Sequence, residues 1–175
     1  MGALQDHPLL TDRAAGLPAA ATDLLGRAQA ALQAQDPQAA EAALDGVLAM
    51  LPDCAEALRM QGVVRHLRGD YGAAVALLQR ARVLQPGDPL VRMNLATALF
   101  AAGEPAAAIA GLQRCCAMAP DFAPAWFNLG KMYMLQRRPA GAITALHRAL
   151  DAEPGHVPAR MLLAQAQSSL GALEA

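Results

Sequence analysis

The sequence predicts an all-α protein, built as a solenoid of antiparallel helix pairs. Three observations lead to this prediction. Residues of the same type recur every 34 positions, and the apolar residues within each period are three or four apart, as on one face of a helix. Aromatic residues make up only 3% of a 175-residue chain that is 55% hydrophobic. Alanine takes their place, so the helices must approach closely through small side chains.

The 34-residue period is visible in four separate columns, and no insertion interrupts it. It predicts units at 21–54, 55–88, 89–122 and 123–156, followed at 157–175 by a partial fifth repeat or a capping helix. Residues 1–20 lie outside the period and are expected to form an arm or a short helix. The columns hold prolines (Pro52, Pro86, Pro120, Pro154), alanines (Ala40, Ala74, Ala108, Ala142), leucines (Leu44, Leu78, Leu112, Leu146) and small residues (Ala28, Gly62, Ala96, Gly130, Ala164).

Each unit is predicted to be two helices joined by a short turn. The segments "QDP", "GDY", "GEP" and "QRRP" interrupt the apolar spacing near the middle of the four units. Pro37, Pro105 and Pro139 fall where a second helix would begin, and proline is tolerated in a first helical turn. Gly62 and Gly130 are expected to let the two helices of their units touch.

The segment "WFNLGKMY", from Trp126 to Tyr133, resembles the first-helix signature of the tetratricopeptide repeat, W-x2-L-G-x2-Y. Ala142, Leu146 and Pro154 fit the second-helix part of that signature. The resemblance covers residues 21–156 fully and 157–173 partly. It implies an all-α, right-handed superhelical solenoid of antiparallel helix pairs.

The sequence departs from the family pattern at several places. Arg92 takes the position of Trp126 in the third unit, and Arg65 takes that of Tyr133 in the second. Both replacements are expected to loosen packing locally. The last residues, "GALEA" at 171–175, match the turn and the opening of another second helix. We therefore expect either a fragment of a longer protein or a fifth repeat that has decayed.

The residues give no pattern typical of catalysis, so we expect no enzyme activity from this chain and no catalytic, cofactor-binding or metal site. Ser168 and Ser169 are the only serines, and the four histidines share no metal-ligand spacing. Cys115 is expected to be a buried small residue; a redox role for Cys115 and Cys116 is the alternative.

Charge and composition restrict the partners and the location. The net charge of −1 favours neither nucleic acid nor a membrane surface, and no apolar run is long enough for a membrane span. Thirteen arginines against one lysine, together with abundant alanine, indicate a bacterial source. We find no secretory signal and expect a cytoplasmic protein.

The resemblance implies a peptide-binding groove lined by the first helices of the units. The groove-facing positions are Arg59, Val63, His66, Leu90, Met93, Asn94, Thr97, Phe100, Phe127, Asn128, Lys131, Met134 and Met161, with Glu56, Leu67, Leu135, Gln165 and Ser168 beside them. Exposed methionine and aromatic side chains suit an adaptable apolar contact with a protein ligand.

Two binding modes are open. Co-chaperones of the family hold a terminal carboxylate with Lys, Asn and Arg side chains. Arg59 and Asn94 could fill two of those places, but Val63 and Pro124 cannot supply the missing cations. The other mode is a short asparagine ladder, Asn94 and Asn128, that would bind the backbone of an extended peptide. Glycosyltransferase-linked arrays of the family use such a ladder.

The favoured function is a protein-interaction scaffold that binds a peptide or a helix in the groove. One alternative is the N-terminal repeat region of a larger bacterial sulfotransferase, glycosyltransferase or hydroxylase; another is a secretion chaperone. The unfinished C-terminal end, where Leu162, Leu163 and Leu170 would lack a covering helix, is expected to be covered either by a second copy of the chain, as a homodimer, or by residues 1–20.

Overall fold

The computed structural model describes residues 16–174, with side chains up to residue 172, and these residues form helices and turns without a strand. The prediction of an all-α repeat solenoid is confirmed. In chain order the helices are α1 (Ala19–Gln33), α2 (Pro37–Met50), α3 (Ala55–Leu67), α4 (Tyr71–Leu84), α5 (Pro89–Ala101), α6 (Pro105–Met118), α7 (Ala123–Leu135), α8 (Pro139–Ala152) and α9 (Val157–Glu174).

The turn inside each helix pair uses the same device. A residue with positive φ ends the first helix, and it is Gly69 or Gly103 in two pairs and Gln35 or Arg137 in the other two. Proline then opens α2, α6 and α8, as the sequence predicts. Before α2 the Asp36 carboxylate also accepts hydrogen bonds from two backbone N–H groups, which caps the helix.

Each helix packs against the next one along the chain, and the first helices of successive units, α1, α3, α5, α7 and α9, also contact one another. The second helices, α2, α4, α6 and α8, make no comparable contacts among themselves. The array therefore curves with the first helices on its inner side and the second helices on its outer side. The alanine and leucine columns form its core, since every one of their members is at most 1% exposed.

Two glycines mark the closest approaches between helices. A Cβ atom on Gly62 would lie 2.6 Å from Cγ of Leu78, and one on Gly130 would lie 2.7 Å from Cγ of Leu146. These distances are far below van der Waals contact. The leucine of the second helix thus occupies the space that a side chain on the first helix would need.

Arg92, where the packing is expected to loosen, makes the same kind of hydrogen bond as its tryptophan counterpart. Trp126 Nε1 donates a hydrogen bond to the Pro120 carbonyl at 2.8 Å. The Arg92 guanidinium donates two hydrogen bonds to the equivalent carbonyl of Pro86, at 3.0 and 2.5 Å. Arg160 does the same at Pro154.

Arg65 also has a defined role, as part of an ionic cluster between the first two units. It pairs with Glu41 of α2 at 2.6 Å, and Arg68 pairs with the same carboxylate. Next to them, Gln61 donates a hydrogen bond to Asp45 at 2.7 Å. The joint between α2 and α3 thus adds ionic and polar contacts to a buried apolar cluster, whereas the corresponding joint before α7 is built around Tyr133 and Cys116.

Two expectations about the ends need correction. Helix α1 begins at Ala19, directly after Pro18, so residues 19 and 20 belong to the first pair; residues 1–15 lie outside the described residues. The segment at 171–174 forms no turn. Gly171 stays helical within α9, which runs on to Glu174.

Among the residues that the structure describes, no helix has both the length and the apolar character needed to cross a bilayer.

Candidate functional site

The candidate site is the inner groove, defined by the thirteen positions that the resemblance predicts, from Arg59 to Met161. Eleven of them are partly buried, whereas Lys131 and Met161 are exposed. Met161 itself is 70% exposed. Leu67 and Leu135, which lie beside the thirteen positions, are each 60% exposed. The face thus offers mainly apolar side chains that the chain covers only in part.

The centre of the groove is tied together across α5 and α7. Asn128 Nδ2 donates to the Pro124 carbonyl at 2.8 Å and contacts Met93 Sδ at 3.3 Å. On α5, the Thr97 hydroxyl donates to the Met93 carbonyl. The N–H groups of the Asn128 amide are therefore engaged within the chain, and its Oδ1 remains as an acceptor toward a ligand.

Phe127, the largest apolar side chain at the centre, is held from the C-terminal side. Its ring centre lies 4.8 Å from that of His156, and the two planes are inclined by 40°. His156 Nδ1 in turn accepts a hydrogen bond from the backbone N–H of Ala159, which caps α9. The aromatic pair thus fixes the Phe127 ring in one orientation before any ligand arrives.

The cation of Arg59 is already neutralised. Its guanidinium makes two hydrogen bonds to the Glu56 carboxylate, at 3.0 and 2.5 Å, and Glu56 is only 4% exposed. A ligand carboxylate would have to displace a buried acid to reach it. Of the arginine and the lysine among the thirteen predicted groove positions, only Lys131 is exposed and without an ion pair among the described residues.

His66 forms a neutral part of the groove wall. Its Nδ1 is buried and has no hydrogen-bond partner among the described residues, and its ring lies 5.4 Å from that of Tyr71. Burial lowers the pKa of His66, and the positive charge of Lys131 lowers it further. The imidazole is therefore uncharged at neutral pH, with an acceptor nitrogen turned away from water.

The remaining predicted positions are partly buried, and their side chains form no hydrogen bond among the described residues. They are Val63, Leu90, Asn94, Phe100 and Met134. Sequence reasoning missed the roles of Tyr71 and His156. The sequence gives only a weak signal for these two roles, because neither residue lies in the first helix of a unit. The pairing of Glu56 with Arg59 had a clearer signal, because residues three apart on a helix are neighbours.

The cysteines lie away from the groove. Cys115 and Cys116 are buried in the core, and burial raises the pKa of Cys115 to about 11 and that of Cys116 to about 12. Both thiols are thus protonated at neutral pH, which makes them poor nucleophiles. No group of three or more His, Cys, Asp or Glu residues suited to a metal ion occurs in the described part of the chain.

Similar proteins share this architecture. Among solved structures, MamA is 26% identical over 87% of this chain and 83% of its own, with a TM-score of 0.68. A mutant O-GlcNAc transferase of Thermobaculum terrenum is 30% identical over 76% of this chain, with a TM-score of 0.71. This chain spans only 26% of that enzyme.

The first repeat domain of Spaghetti (RPAP3), bound to the HSP90 peptide SRMEEVD, covers 67% of this chain and 93% of its own, at 21% identity and a TM-score of 0.62. No curated protein sequence gave a significant match. Two family models match, both described as tetratricopeptide repeats: one at residues 25–89, the other at 66–133 and 133–175. The chain belongs to the tetratricopeptide repeat family.

Proposed function

We propose that this chain is a protein-interaction scaffold that binds a peptide or a helix in its inner groove. The observation that carries the proposal is the partly covered apolar row around Met93 and Phe127, with polar atoms set between its members. The RPAP3 domain bound to an HSP90 peptide illustrates that the fold can hold a peptide. At 21% identity that likeness supports the fold alone.

The proposed centre is formed by Met93, Asn94, Phe127, Asn128 and Lys131. Phe127 and Met93 supply apolar area, and Phe127 is held in place by His156. Asn128 Oδ1 is set to accept a hydrogen bond from a ligand N–H group, since its own N–H groups are occupied. Asn94, one period earlier, would extend this contact into a two-membered ladder along the groove.

The neutralised Arg59 argues against the co-chaperone mode of carboxylate binding. That mode needs several cations converging on one carboxylate, and the groove offers Lys131 alone. We therefore expect the backbone of the ligand to be bound by amides and its side chains by the apolar row. An acidic ligand residue would contribute only next to Lys131.

The test is a double substitution, Phe127→Ala with Asn128→Ala. Partners captured from a bacterial lysate are identified by mass spectrometry, and the affinity of each is then measured by calorimetry. Loss of a buried aromatic anchor costs about 2 kcal/mol or more, so we expect at least a thirtyfold weaker complex. The matched control is Val83→Ala with Gln79→Ala, two exposed positions on the outer helix α4.

Circular dichroism must first show that both variants keep the helical content of the wild type. Equal affinity of wild type and groove variant for every captured partner would show that the inner groove is not the binding surface. An equal loss in the control variant would point instead to a general effect on folding.

A second candidate is that this array is the N-terminal repeat region of a larger bacterial enzyme. The 30% identity to one quarter of an O-GlcNAc transferase favours it. The scaffold would then select the substrate for a catalytic domain encoded downstream. Reading the gene beyond the codon of Ala175 decides this point. A stop codon there would exclude the candidate, whereas an open frame encoding a transferase domain would support it.

We place the proposed scaffold in the bacterial cytoplasm. The abundance of alanine and the thirteen arginines support the bacterial source.

A further inference from the structure

An open cleft lies on the outer side of the array, between α6 and α8, with α7 as its floor. Its volume is about 510 Å³, which is within the range of ligand sites. The residues that matter here are Gln113, Trp126, Tyr133, Gly141, Thr144 and Arg148. Arg148 is the only charged residue among those that line the cleft.

The floor of the cleft is aromatic and fixed. The Trp126 N–H is used by the Pro120 carbonyl, so the indole presents its apolar carbon atoms to the cleft. Tyr133 lies beside it, and its hydroxyl accepts a hydrogen bond from Gln113 Nε2 at 2.9 Å. A Cβ atom on Gly141 would come within 3.2 Å of the Tyr133 ring. The glycine therefore lets the ring lie flat against α8.

Arg148 supplies the charge of the cleft. Its guanidinium carbon lies 5.4 Å from the centre of the Trp126 ring, within range of a cation–π contact. Among the described residues it forms no ion pair. A positive charge beside an apolar aromatic surface is thus left without a carboxylate.

The second unit shows what an arginine at this position of the repeat binds when a carboxylate is within reach. Arg80 stands two periods before Arg148, at the same place in the second unit. Its guanidinium donates to the Pro52 carbonyl at 3.2 Å and to the Asp53 carboxylate at 3.5 Å. The equivalent of Asp53 beside Arg148 is Asp121, which makes no ion pair with it.

The reason for the difference is Trp126. In the second unit the equivalent residue is Leu58, whose side chain has no N–H group to donate, and Arg80 takes the proline carbonyl. In the fourth unit Trp126 takes that carbonyl, and Arg148 turns to the indole ring instead. Of the two arginines, Arg148 is consequently the one that forms no ion pair among the described residues.

We propose that the outer cleft between α6 and α8 binds a short acidic peptide segment of another protein. An aliphatic side chain of that segment packs on Trp126 and Leu129, and a neighbouring carboxylate pairs with Arg148. Gln113 and the Tyr133 hydroxyl are placed to bind the backbone. The cleft runs between two neighbouring outer helices, a shape that suits an extended chain. This surface is separate from the inner groove, so both can be occupied together.

The experiment is a selection of random heptapeptides displayed on phage against the immobilised chain, followed by titration of the enriched peptides. Trp126 is the only tryptophan of the chain, so its fluorescence reports directly on the cleft. We expect enriched peptides to carry Asp or Glu next to an aliphatic residue and to shift the emission. Arg148→Gln should weaken them about tenfold, the effect of losing one charge-assisted hydrogen bond.

The matched control is Arg114→Gln, the same position one period earlier, which is exposed and does not line the cleft. Neither this variant nor Phe127→Ala in the inner groove should change the affinity of peptides bound at Trp126. The proposal is overturned if enrichment shows no acidic preference, or if Arg148→Gln binds the selected peptides as tightly as wild type. A failure of the groove variant alone would bear on the proposed function and leave the cleft unaffected.

Discussion

Gly130 is the residue at which the two helices of the fourth pair come closest. A methyl group there would overlap Leu146 Cγ and Cδ2, at 2.7 and 2.9 Å, so one of the two helices must shift. We expect Gly130→Ala to lower the free energy of unfolding by about 1–3 kcal/mol, the usual cost of overpacking. Urea denaturation followed by circular dichroism measures it.

Gly26 is the control for this change. It also lies within a helix, but a Cβ atom there would meet nothing within 4 Å. Gly26→Ala should therefore stabilise the chain, by up to about 1 kcal/mol, through the higher helix propensity of alanine. If Gly130→Ala proved as stable as Gly26→Ala, the close packing of α7 on Leu146 would be wrong.

At this scale the sequence predicts which residues face which side, but not how they pair. The period assigns Arg59 and Lys131 to one face, yet their charges differ in availability because the buried Glu56 carboxylate pairs with Arg59. Likewise, Asn128 was expected to offer both donor and acceptor, and its donors are spent on Pro124 and Met93. Such pairings depend on side-chain rotamers and local burial, which a repeat pattern does not encode.

At the scale of elements, the joints between units share one hydrogen bond whose donor varies. Each column proline leaves its carbonyl at the end of a second helix, and Arg80, Arg92, Trp126 or Arg160 donates to it. The joint thus requires a donor of suitable reach and not a particular side chain. This explains why the third unit tolerates an arginine where the family signature has tryptophan.

The hydrogen bonds of Arg92 can be tested without removing its aliphatic stem. Arg92→Met keeps most of the apolar length but leaves the Pro86 carbonyl without its two donors. We expect a loss of about 1 kcal/mol in the free energy of unfolding, typical of a net hydrogen-bond contribution. Arg92→Lys retains one donor and should restore part of that loss. Equal melting temperatures for wild type and both variants would show that hydrogen bonds to the Pro86 carbonyl do not stabilise the joint.

The helices and turns were largely predictable from the sequence, and the exceptions have physical causes. Helix-opening prolines and the small columns recur with the period, so each pair repeats the geometry of the previous one. Gly171 occupies the same period position as Gly69 and Gly103 but stays helical, and among the described residues no atom of another helix packs within 4 Å of a Cβ built there to hold a turn in place. The outer cleft was missed because it depends on the space left jointly by Ala117, Gly141 and Thr144.

At the scale of the whole molecule, the last helix leaves one face uncovered. Ala164 belongs to the small-residue column that is buried in the other units, but here it is exposed, since no helix of the described residues covers this side of α9. Leu163, expected to be exposed at this end, is 8% exposed and packs into the core instead. The uncovered face therefore centres on Ala164, with Arg160 and Gln167 on either side.

A homodimer through this end stays a prediction, now centred on Ala164. An exposed alanine flanked by polar residues can receive a helix of a second copy, as Ala96 and Gly130 receive α6 and α8. We expect dimers at millimolar concentration in light scattering, and monomers for Ala164→Arg, whose long charged side chain would block the approach. A wild type that remains monomeric across the whole concentration range would contradict the prediction.

The polar contacts between α2 and α3 have a mechanical consequence. Glu41 with its two arginines, and Asp45 with Gln61, add ionic and polar contacts to the apolar packing of α2 on α3. The joint before α7 combines apolar packing with the hydrogen bond from Gln113 to Tyr133, and no ion pair is seen there among the described residues. Because dissolved salt screens ionic contacts, rising ionic strength should weaken the N-terminal joint more than the joint at the centre of the groove.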